Sequence, residues 1–264
     1  MEPVLVSPVL VSLQAGVLRI TLNRPEKLNA FNPALHKGLA DAMTRAESET
    51  AVRCLLITGA GRGFCAGQDL GERDMKAAAI DLGSGLETWY NPLVKRMRAL
   101  PKPIVCAVNG VAAGAGANFA LACDIVIAAR SASFIQAFVK IGLVPDCGGS
   151  YFLPRLAGTQ RAMALAMTGE RLPAEDAERW GLIWKCVDDS LLDSEAEKIS
   201  LQLASGPTKT LGLIKKAIYS SANNDLATQL DMERDLQREI GKGGDYREGV
   251  AAFLEKRKPE FKGQ

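Results

Sequence analysis

The chain has 264 residues, of which 47% are hydrophobic and 23% are charged, an ordinary composition for a globular protein. Its formal net charge of +2 is too close to zero to favour a nucleic-acid partner or an anionic membrane surface. No apolar run approaches the roughly 20 residues that a transmembrane helix needs, and no basic signal-peptide segment follows Met1. We therefore expect a cytoplasmic enzyme or binding protein, built as one large domain or as a core with an appendage.

The six cysteines are spread singly along the chain and form no Cys-x-x-Cys motif. With His36 as the only histidine, a Cys/His zinc site is disfavoured, and we predict no metal. The cysteines are expected to be reduced and to serve as small core residues. His36 falls in a predicted helix, where a surface or packing role is favoured over catalysis.

Strands and helices alternate in the first half of the chain. Residues 17–22 alternate apolar and polar side chains as a half-buried strand does. Asn32 and Pro33 then open a helix, as its cap and its first residue, and an apolar stripe follows at helical spacing. Three further short runs are typical of buried strands, namely residues 54–58, 104–108 and 124–129. This alternation predicts an α/β core with mainly parallel strands.

Two of these strands run into glycine-rich turns, at residues 59–70 and 109–118. The first turn does not fit the dinucleotide pattern G-x-G-x-x-G, because Phe64 occupies the place of the third glycine. We therefore expect no nicotinamide cofactor. Turns of this kind expose backbone N–H groups at helix N-termini, and those groups bind phosphate or an oxyanion.

Residues 71–85 mix charged residues with Ala and Gly and are expected to be mobile, and a helix through Leu93 and Met97 follows. After Leu156 the pattern becomes mostly helical. The predicted helices are residues 161–168, 174–180, 191–204, 207–221, 225–240 and 246–258. We divide the chain into an α/β core at 1–200 and a helical region at 201–264 that packs on the core or on other subunits. The basic run 255–258 is either a solvated helix end or a phosphate contact.

One carboxylate, Asp146, lies in the apolar run 141–150, between Pro145 and a pair of glycines. If that run is buried, desolvation raises the pKa of the carboxyl group and makes it usable as both acid and base. The alternative is that Asp146 caps the helix that begins near Gly149, since Asp is a common N-cap. Spacing alone favours the cap.

Four segments together resemble the crotonase, or enoyl-CoA hydratase/isomerase, superfamily. They are residues 23–30, residues 64–70 with the pattern F-x-A-G-x-D, residues 103–124, and residues 248–259. The resemblance implies a spiral of ββα turns with a helical C-terminal region that builds homotrimers, often paired into hexamers. It also implies an acyl-CoA substrate, so coenzyme A enters as part of the substrate and no separate cofactor is expected.

In this superfamily two backbone N–H groups form an oxyanion hole for the thioester enolate, each worth roughly 3–4 kcal/mol. By position, the resemblance assigns these donors to Gln68 and Ala115. The positions that resemble coenzyme A contacts are Arg24, Lys27, Leu28, Ala30, Ala66, Gln68, Asp69, Leu70, Phe253 and Lys256. The last two would reach the nucleotide of their own or of a neighbouring subunit.

The departures from the family pattern indicate the reaction. Hydratases of the superfamily add water with two glutamates, and Asn118 and Phe138 stand at those positions here. Asp146 stands where some isomerases, and a hydrolytic dehalogenase of the superfamily, place their working aspartate. One carboxylate can move a proton between two carbons, because after accepting the proton from one carbon it can donate it to the other. The resemblance therefore favours catalysis by Asp146 over capping.

Residues 110–116, 142–149 and 180–184 are similar to the superfamily's isomerases that convert ring 1,2-epoxyphenylacetyl-CoA to oxepin-CoA in phenylacetate degradation. A shift of 3-enoyl-CoA to 2-enoyl-CoA is a related possibility. Four aromatic residues could form an acyl pocket or belong to the core: Trp89, Tyr90, Phe138 and Phe152. Two other classes stay open, a dehalogenase with Asp146 as nucleophile and a non-catalytic homologue that binds acyl-CoA or RNA. The near-neutral chain argues against RNA.

Overall fold

The structure is a computed structural model that describes residues 7–72 and 81–264. Within these ranges the strands are β1 (Val9–Gln14), β2 (Val17–Leu22), β3 (Cys54–Gly59), β4 (Gly63–Cys65), β5 (Ile104–Val108), β6 (Val111–Ala113), β7 (Ile125–Ala129), β8 (Ser133–Ile135), β9 (Arg171–Pro173) and β10 (Lys185–Val187). The helices are α1 (Pro33–Ser48), α2 (Leu82–Gly85), α3 (Asn91–Ala99), α4 (Ala115–Leu121), α5 (Gly149–Ala157), α6 (Thr159–Thr168), α7 (Ala174–Arg179), α8 (Leu192–Ala204), α9 (Thr208–Ser221), α10 (Leu226–Ile240) and α11 (Gly244–Glu255).

Two sheets carry the fold. The larger has the strand order β1-β2-β3-β5-β7-β10 and is parallel except for the β1–β2 hairpin. The smaller has the order β4-β6-β8-β9, in which only β8 and β9 run antiparallel. The successive pairs β3/β4, β5/β6 and β7/β8 each give one strand to each sheet, and helical structure follows each pair. The chain therefore winds as a spiral of ββα turns, and the predicted fold class is confirmed.

The core lies between the larger sheet and the helices that cover it. All five residues of β5 are buried, as expected for a parallel strand covered on both faces. At the start of α1 the Asn32 side chain accepts a hydrogen bond from the Leu35 amide at 2.9 Å, so the predicted cap is confirmed. The predicted core role of the cysteines is confirmed for five of the six, which are buried free thiols: Cys54, Cys65, Cys106, Cys123 and Cys147.

The predicted helices of the last third are present, with ends that differ by a few residues. The largest difference is at α11, which ends at Glu255 because Lys256 has a left-handed backbone with φ of 57°. Part of the segment expected to be mobile, residues 73–80, lies outside the described residues. None of the helices in the described ranges is long and apolar enough to cross a membrane.

Candidate active site

Asp146 and Gln68 line one cavity of about 290 Å³. Its wall includes Trp89 and Tyr90, which belong to a π-helical turn at Leu86–Tyr90 that continues into α3. The structure therefore brings the predicted acid/base and one predicted oxyanion donor, 78 positions apart in the chain, to the same space. This cavity is the candidate active site.

Asp146 lies in the loop before α5 and is half-buried, with its Oδ1 shielded from solvent. The condition that the surrounding run is buried is met only in part, because Val144 is 80% exposed and Ile141 is 53% exposed. The N-cap position itself is not held by Asp146. The N-cap of α5 is Gly148, and Asp146 contributes its backbone carbonyl, which accepts from the Gly149 amide at 2.8 Å.

The backbone N–H of Gln68 is directed by a short parallel bridge to Phe31. The Phe31 amide donates to Gly67 O at 2.7 Å, and Phe31 O accepts from the Asp69 amide at 2.9 Å. Because these bonds use the residues on either side of Gln68, its own N–H points away from Phe31. The side chain is fixed as well, since Gln68 Nε2 donates to Phe31 O and Gln68 Oε1 accepts from the Tyr90 hydroxyl at 2.7 Å.

The second predicted donor, Ala115, is the first residue of α4, where an N–H has no carbonyl of its own helix to bond. The turn around Gly67 packs directly against it. A Cβ on Gly67 would lie 2.8 Å from Ala113 O and 3.5 Å from Ala115 N, so only glycine allows this approach. The two candidate donors therefore lie on adjacent backbone segments, as an oxyanion hole requires.

The two positions that the resemblance assigns to the acids of hydratases hold residues without titrating groups. Asn118 is fully buried, and its Nδ2 donates to Asp146 O at 2.8 Å. Its Oδ1 accepts from Gln136 Nε2, also at 2.8 Å. Phe138 is 6% exposed, and a Cβ on Gly114 would lie 3.7 Å from its Cζ. Gln136 was missed in the sequence, since nothing in its neighbourhood there signals a bond to Asn118.

Of the four aromatic candidates, Trp89 and Tyr90 line the cavity that contains Asp146. Phe152 instead lines a separate cavity of about 650 Å³ between α3 and α5. His36 has the packing role that was one of its two predicted roles. Its ring is 4% exposed and stacks between Phe31, at 4.9 Å, and Trp89, at 5.5 Å.

The predicted coenzyme A segments lie side by side. Arg24 links them, since its guanidinium pairs with Asp69 at 2.9 Å and donates to Ala30 O at 2.6 Å. The Ala66 amide donates to Leu28 O at 2.9 Å. The Arg24 guanidinium beside Asp69 lowers the pKa of that carboxyl group. Arg24 is thus committed to this intramolecular contact. Of the predicted contact residues on these segments, Lys27 and Leu70 are exposed.

The two predicted contacts in α11 and just beyond it lie outside the lining of the Asp146 cavity. Phe253 is 83% exposed and lines a groove of about 430 Å³ formed with α9 and α10, and Lys256 is exposed. In the basic run that follows, Arg257 pairs with Glu248 and Glu255 at 2.6 Å each. No cluster of side chains suited to holding a metal ion occurs among the described residues.

Comparison with known proteins places these features in a family. Residues 12–264 match the family model described as enoyl-CoA hydratase/isomerase. The chain is 57% identical to the 1,2-epoxyphenylacetyl-CoA isomerase of Escherichia coli, over 97% of this chain and 98% of that protein. It is 36% identical to the 2,3-dehydroadipyl-CoA hydratase of the same organism, over 98% and 100%.

Comparison with a solved structure supports the same family. The enoyl-CoA hydratase of Bacillus anthracis matches with a TM-score of 0.91 and 35% identity, over 97% of this chain and 100% of that one. The chain therefore belongs to the enoyl-CoA hydratase/isomerase family. It is an enzyme, and its family acts on acyl-CoA thioesters either as isomerases or as hydratases.

Proposed function

We propose that the protein is an isomerase that converts ring 1,2-epoxyphenylacetyl-CoA to oxepin-CoA. The observation that carries this proposal is the set of ionisable groups at the site. Asp146 lines the cavity with Gln68, whereas Asn118 and Phe138 stand at the two positions where a hydratase needs acids. The similarity to the E. coli 1,2-epoxyphenylacetyl-CoA isomerase supports the choice of the epoxide over other acyl groups.

The proposed mechanism uses one carboxylate and two backbone amides. The thioester oxygen accepts hydrogen bonds from the N–H groups of Gln68 and Ala115, which stabilise the negative charge of an enolate. The carbon–carbon bond that the epoxide shares with the six-membered ring breaks while both C–O bonds stay, which forms the seven-membered oxepin ring. Asp146 takes the proton from the carbon beside the thioester as the double bonds shift. A proton then returns to a ring carbon, so the product has the atoms of the substrate and the carboxylate ends as it began.

The cavity wall suits an acyl group that carries a ring. Trp89, Tyr90, Leu86 and Leu143 line it, and aromatic side chains offer flat apolar surfaces to a ring. The same proton transfer would shift the double bond of a 3-enoyl-CoA, and we propose that reaction as a secondary activity.

Coenzyme A is proposed to lie along the two segments that Arg24 joins. Lys27 and Leu70 are exposed there and can contact the nucleotide and the pantetheine, beside Leu28, Ala30, Ala66 and Asp69. Phe253 and Lys256 are proposed to complete the nucleotide site of their own or of a neighbouring subunit. Coenzyme A then belongs to the substrate, and no separate cofactor takes part.

We propose a homotrimer, or a hexamer of paired trimers, assembled through the helical region 201–264 of a cytoplasmic protein. Large apolar side chains of this region are exposed in the single chain, including Leu226 at 74%, Leu254 at 74% and Phe253 at 83%. Helix α10 buries none of its residues. Exposed apolar patches of this kind mark protein–protein contacts.

A hydrolytic dehalogenase with Asp146 as nucleophile is disfavoured by the position of His36. That reaction needs a second base to activate water, and His36 is the only histidine of the chain. Its ring is buried between Phe31 and Trp89 and is 4% exposed. It therefore presents no basic nitrogen to a water molecule beside Asp146.

The test is the variant Asp146→Asn, assayed with ring 1,2-epoxyphenylacetyl-CoA, a 3-enoyl-CoA and 4-chlorobenzoyl-CoA. The amide keeps the size of the carboxylate but cannot accept a carbon-bound proton. Turnover of the epoxide should fall by roughly 10²–10⁴, with acyl-CoA binding preserved because the oxyanion donors are backbone groups.

The matched control is Asp225→Asn at the N-cap of α10, where Asp225 accepts from the Thr228 amide at 2.7 Å. Asn is an equally good cap, so this variant should behave as the wild type. If Asp146→Asn keeps more than about a tenth of the wild-type rate, the catalytic assignment is wrong. If the wild type turns over only 4-chlorobenzoyl-CoA, the result would support the dehalogenase. If the wild type binds acyl-CoA without turning over any of the three substrates, the result would support a non-catalytic homologue.

A further inference from the structure

Asn118 is bonded at both ends of its side-chain amide, although it stands where a hydratase carries an acid. Its Nδ2 donates to the backbone carbonyl of Asp146, and its Oδ1 accepts from Gln136 Nε2, both at 2.8 Å. Asn118 is fully buried and Gln136 is 2% exposed. Buried hydrogen bonds of this kind hold their partners rigidly, because breaking one leaves a polar group without water to replace it.

The fit around this amide leaves little freedom. A Cβ on Gly149 would lie 2.2 Å from Asn118 Nδ2, so the first turn of α5 packs directly on the amide. The Gly149 amide also donates to the same Asp146 carbonyl, at 2.8 Å. That carbonyl therefore accepts two hydrogen bonds, one from α4 and one from α5, and its position is fixed by both helices.

Helix α4 carries both Asn118 and Ala115. The same short helix thus presents a proposed oxyanion donor at its first residue and holds the backbone of the proposed acid/base one turn later. The position of Asp146 is in this way tied to the position of the thioester oxygen. Proton transfer from the carbon beside the thioester depends on that separation.

We propose that Asn118 is a positioning residue for Asp146, and that Gln136 sets which end of its amide faces the Asp146 carbonyl. This inference rests on the proposed function, since it assigns a partner to the acid/base named there. Only a side chain with a donor and an acceptor at this length satisfies both bonds. An ionised aspartate can accept from Gln136 but cannot donate to a carbonyl, and it would repel that carbonyl instead.

The test is Asn118→Asp, which keeps the shape of the side chain. We expect kcat for the epoxide to fall roughly 10- to 100-fold, because a displacement of about 1 Å in a reacting group can have that effect. The KM should change by less than about threefold, since the coenzyme A contacts are untouched. Gln136→Leu, measured in parallel, removes only the donor that orients the amide and should lower kcat less, again with KM unchanged.

The matched control is Asn109→Asp, which makes the same change at another asparagine that clamps backbone. Asn109 Nδ2 donates to Gly61 O at 2.9 Å, and its Oδ1 accepts from the Gly59 amide at 3.1 Å. This variant should lose stability but keep kcat. An equal fall in kcat for Asn109→Asp and Asn118→Asp would mean that general disturbance of the fold explains both, and the inference would be wrong.

A double variant shows whether Asn118 acts through Asp146. The Asp146→Asn variant has no carboxylate for Asn118 to position, so adding Asn118→Asp should not lower its residual rate further. A further fall there, or an unchanged kcat in both Asn118→Asp and Gln136→Leu, would overturn the inference. Failure of the proposed function is a separate result, since it appears as more than about a tenth of the wild-type rate in Asp146→Asn alone.

Discussion

The buried histidine gives a prediction about stability that follows directly from its surroundings. His36 stacks between Phe31 and Trp89 and meets the edge of Tyr90 at 4.5 Å. Within the part of the chain that the structure describes, neither ring nitrogen has a hydrogen-bond partner. Burial disfavours the charged imidazolium and lowers the pKa of His36 from 6.5 to about 4.

The lowered pKa of His36 makes the stability of the folded protein depend on pH. Between pH 6.5 and pH 4 the unfolded chain binds a proton that the folded chain excludes, so stability falls as the pH drops below about 6.5 and the loss is complete near pH 4. From pH 7.5 to pH 5.0 the free energy of unfolding should fall by about 2 kcal/mol. For a chain of this length that corresponds to a decrease in Tm of about 4 °C.

The assay is urea unfolding at several pH values between 5.0 and 7.5, for the wild type and for His36→Phe. Phe keeps a flat ring between Phe31 and Trp89 but cannot be protonated, so this variant should lose about 2 kcal/mol less than the wild type over the range. His36 is the only histidine, so its imidazole proton signals can be followed alone in an NMR titration. An equal pH dependence in both proteins, or a pKa near 6.5 in the folded state, would refute the reasoning.

Three further predictions concern substrate and assembly. Coenzyme A alone should raise Tm, because a ligand at a hundred times its Kd stabilises the folded protein by about 2.7 kcal/mol. An unchanged Tm with both coenzyme A and acyl-CoA would contradict the proposed coenzyme A site. Hydration of crotonyl-CoA should be more than about tenfold slower than isomerisation, since neither Asn118 nor Phe138 can act as an acid or base. Light scattering at micromolar concentration should report a trimer or hexamer, and a monomer would contradict the proposed assembly.

The fold was predictable where the sequence carries a repeated pattern or a cap. The Asn32 cap of α1 and the fully buried β5 follow from local residue types and were found as predicted. The strands β4, β6, β8, β9 and β10 were not predicted, since each has only three residues. Such strands carry too few alternations to show a period, and their pairing with distant strands decides whether they form.

In the candidate site, too, some features were predictable from the sequence and others were not. The positions of Asp146, Gln68 and Ala115 were assigned by resemblance, and the structure places Asp146 and Gln68 on one cavity. The exposure of Val144 was not predictable, because an apolar run gives no sign of which of its side chains face outwards. The bond from Asn118 to Asp146 joins residues 28 positions apart, and no local pattern in the sequence indicates a contact between helix α4 and that distant loop.

The replacements at positions 118 and 138 are best understood together, because each removes an acid and supplies something that proton transfer between carbons needs. The Nδ2 of Asn118 donates a hydrogen bond to the backbone carbonyl of Asp146 and so fixes the loop. An ionised glutamate at this position would have no hydrogen to donate to that carbonyl. Phe138 lies against Gly114, the residue before the Ala115 amide, and covers that segment with an apolar ring. Water beside the enolate would compete for the proton that must return to carbon. A site that orients one carboxylate and presents no second acid among its described residues therefore favours isomerisation over hydration.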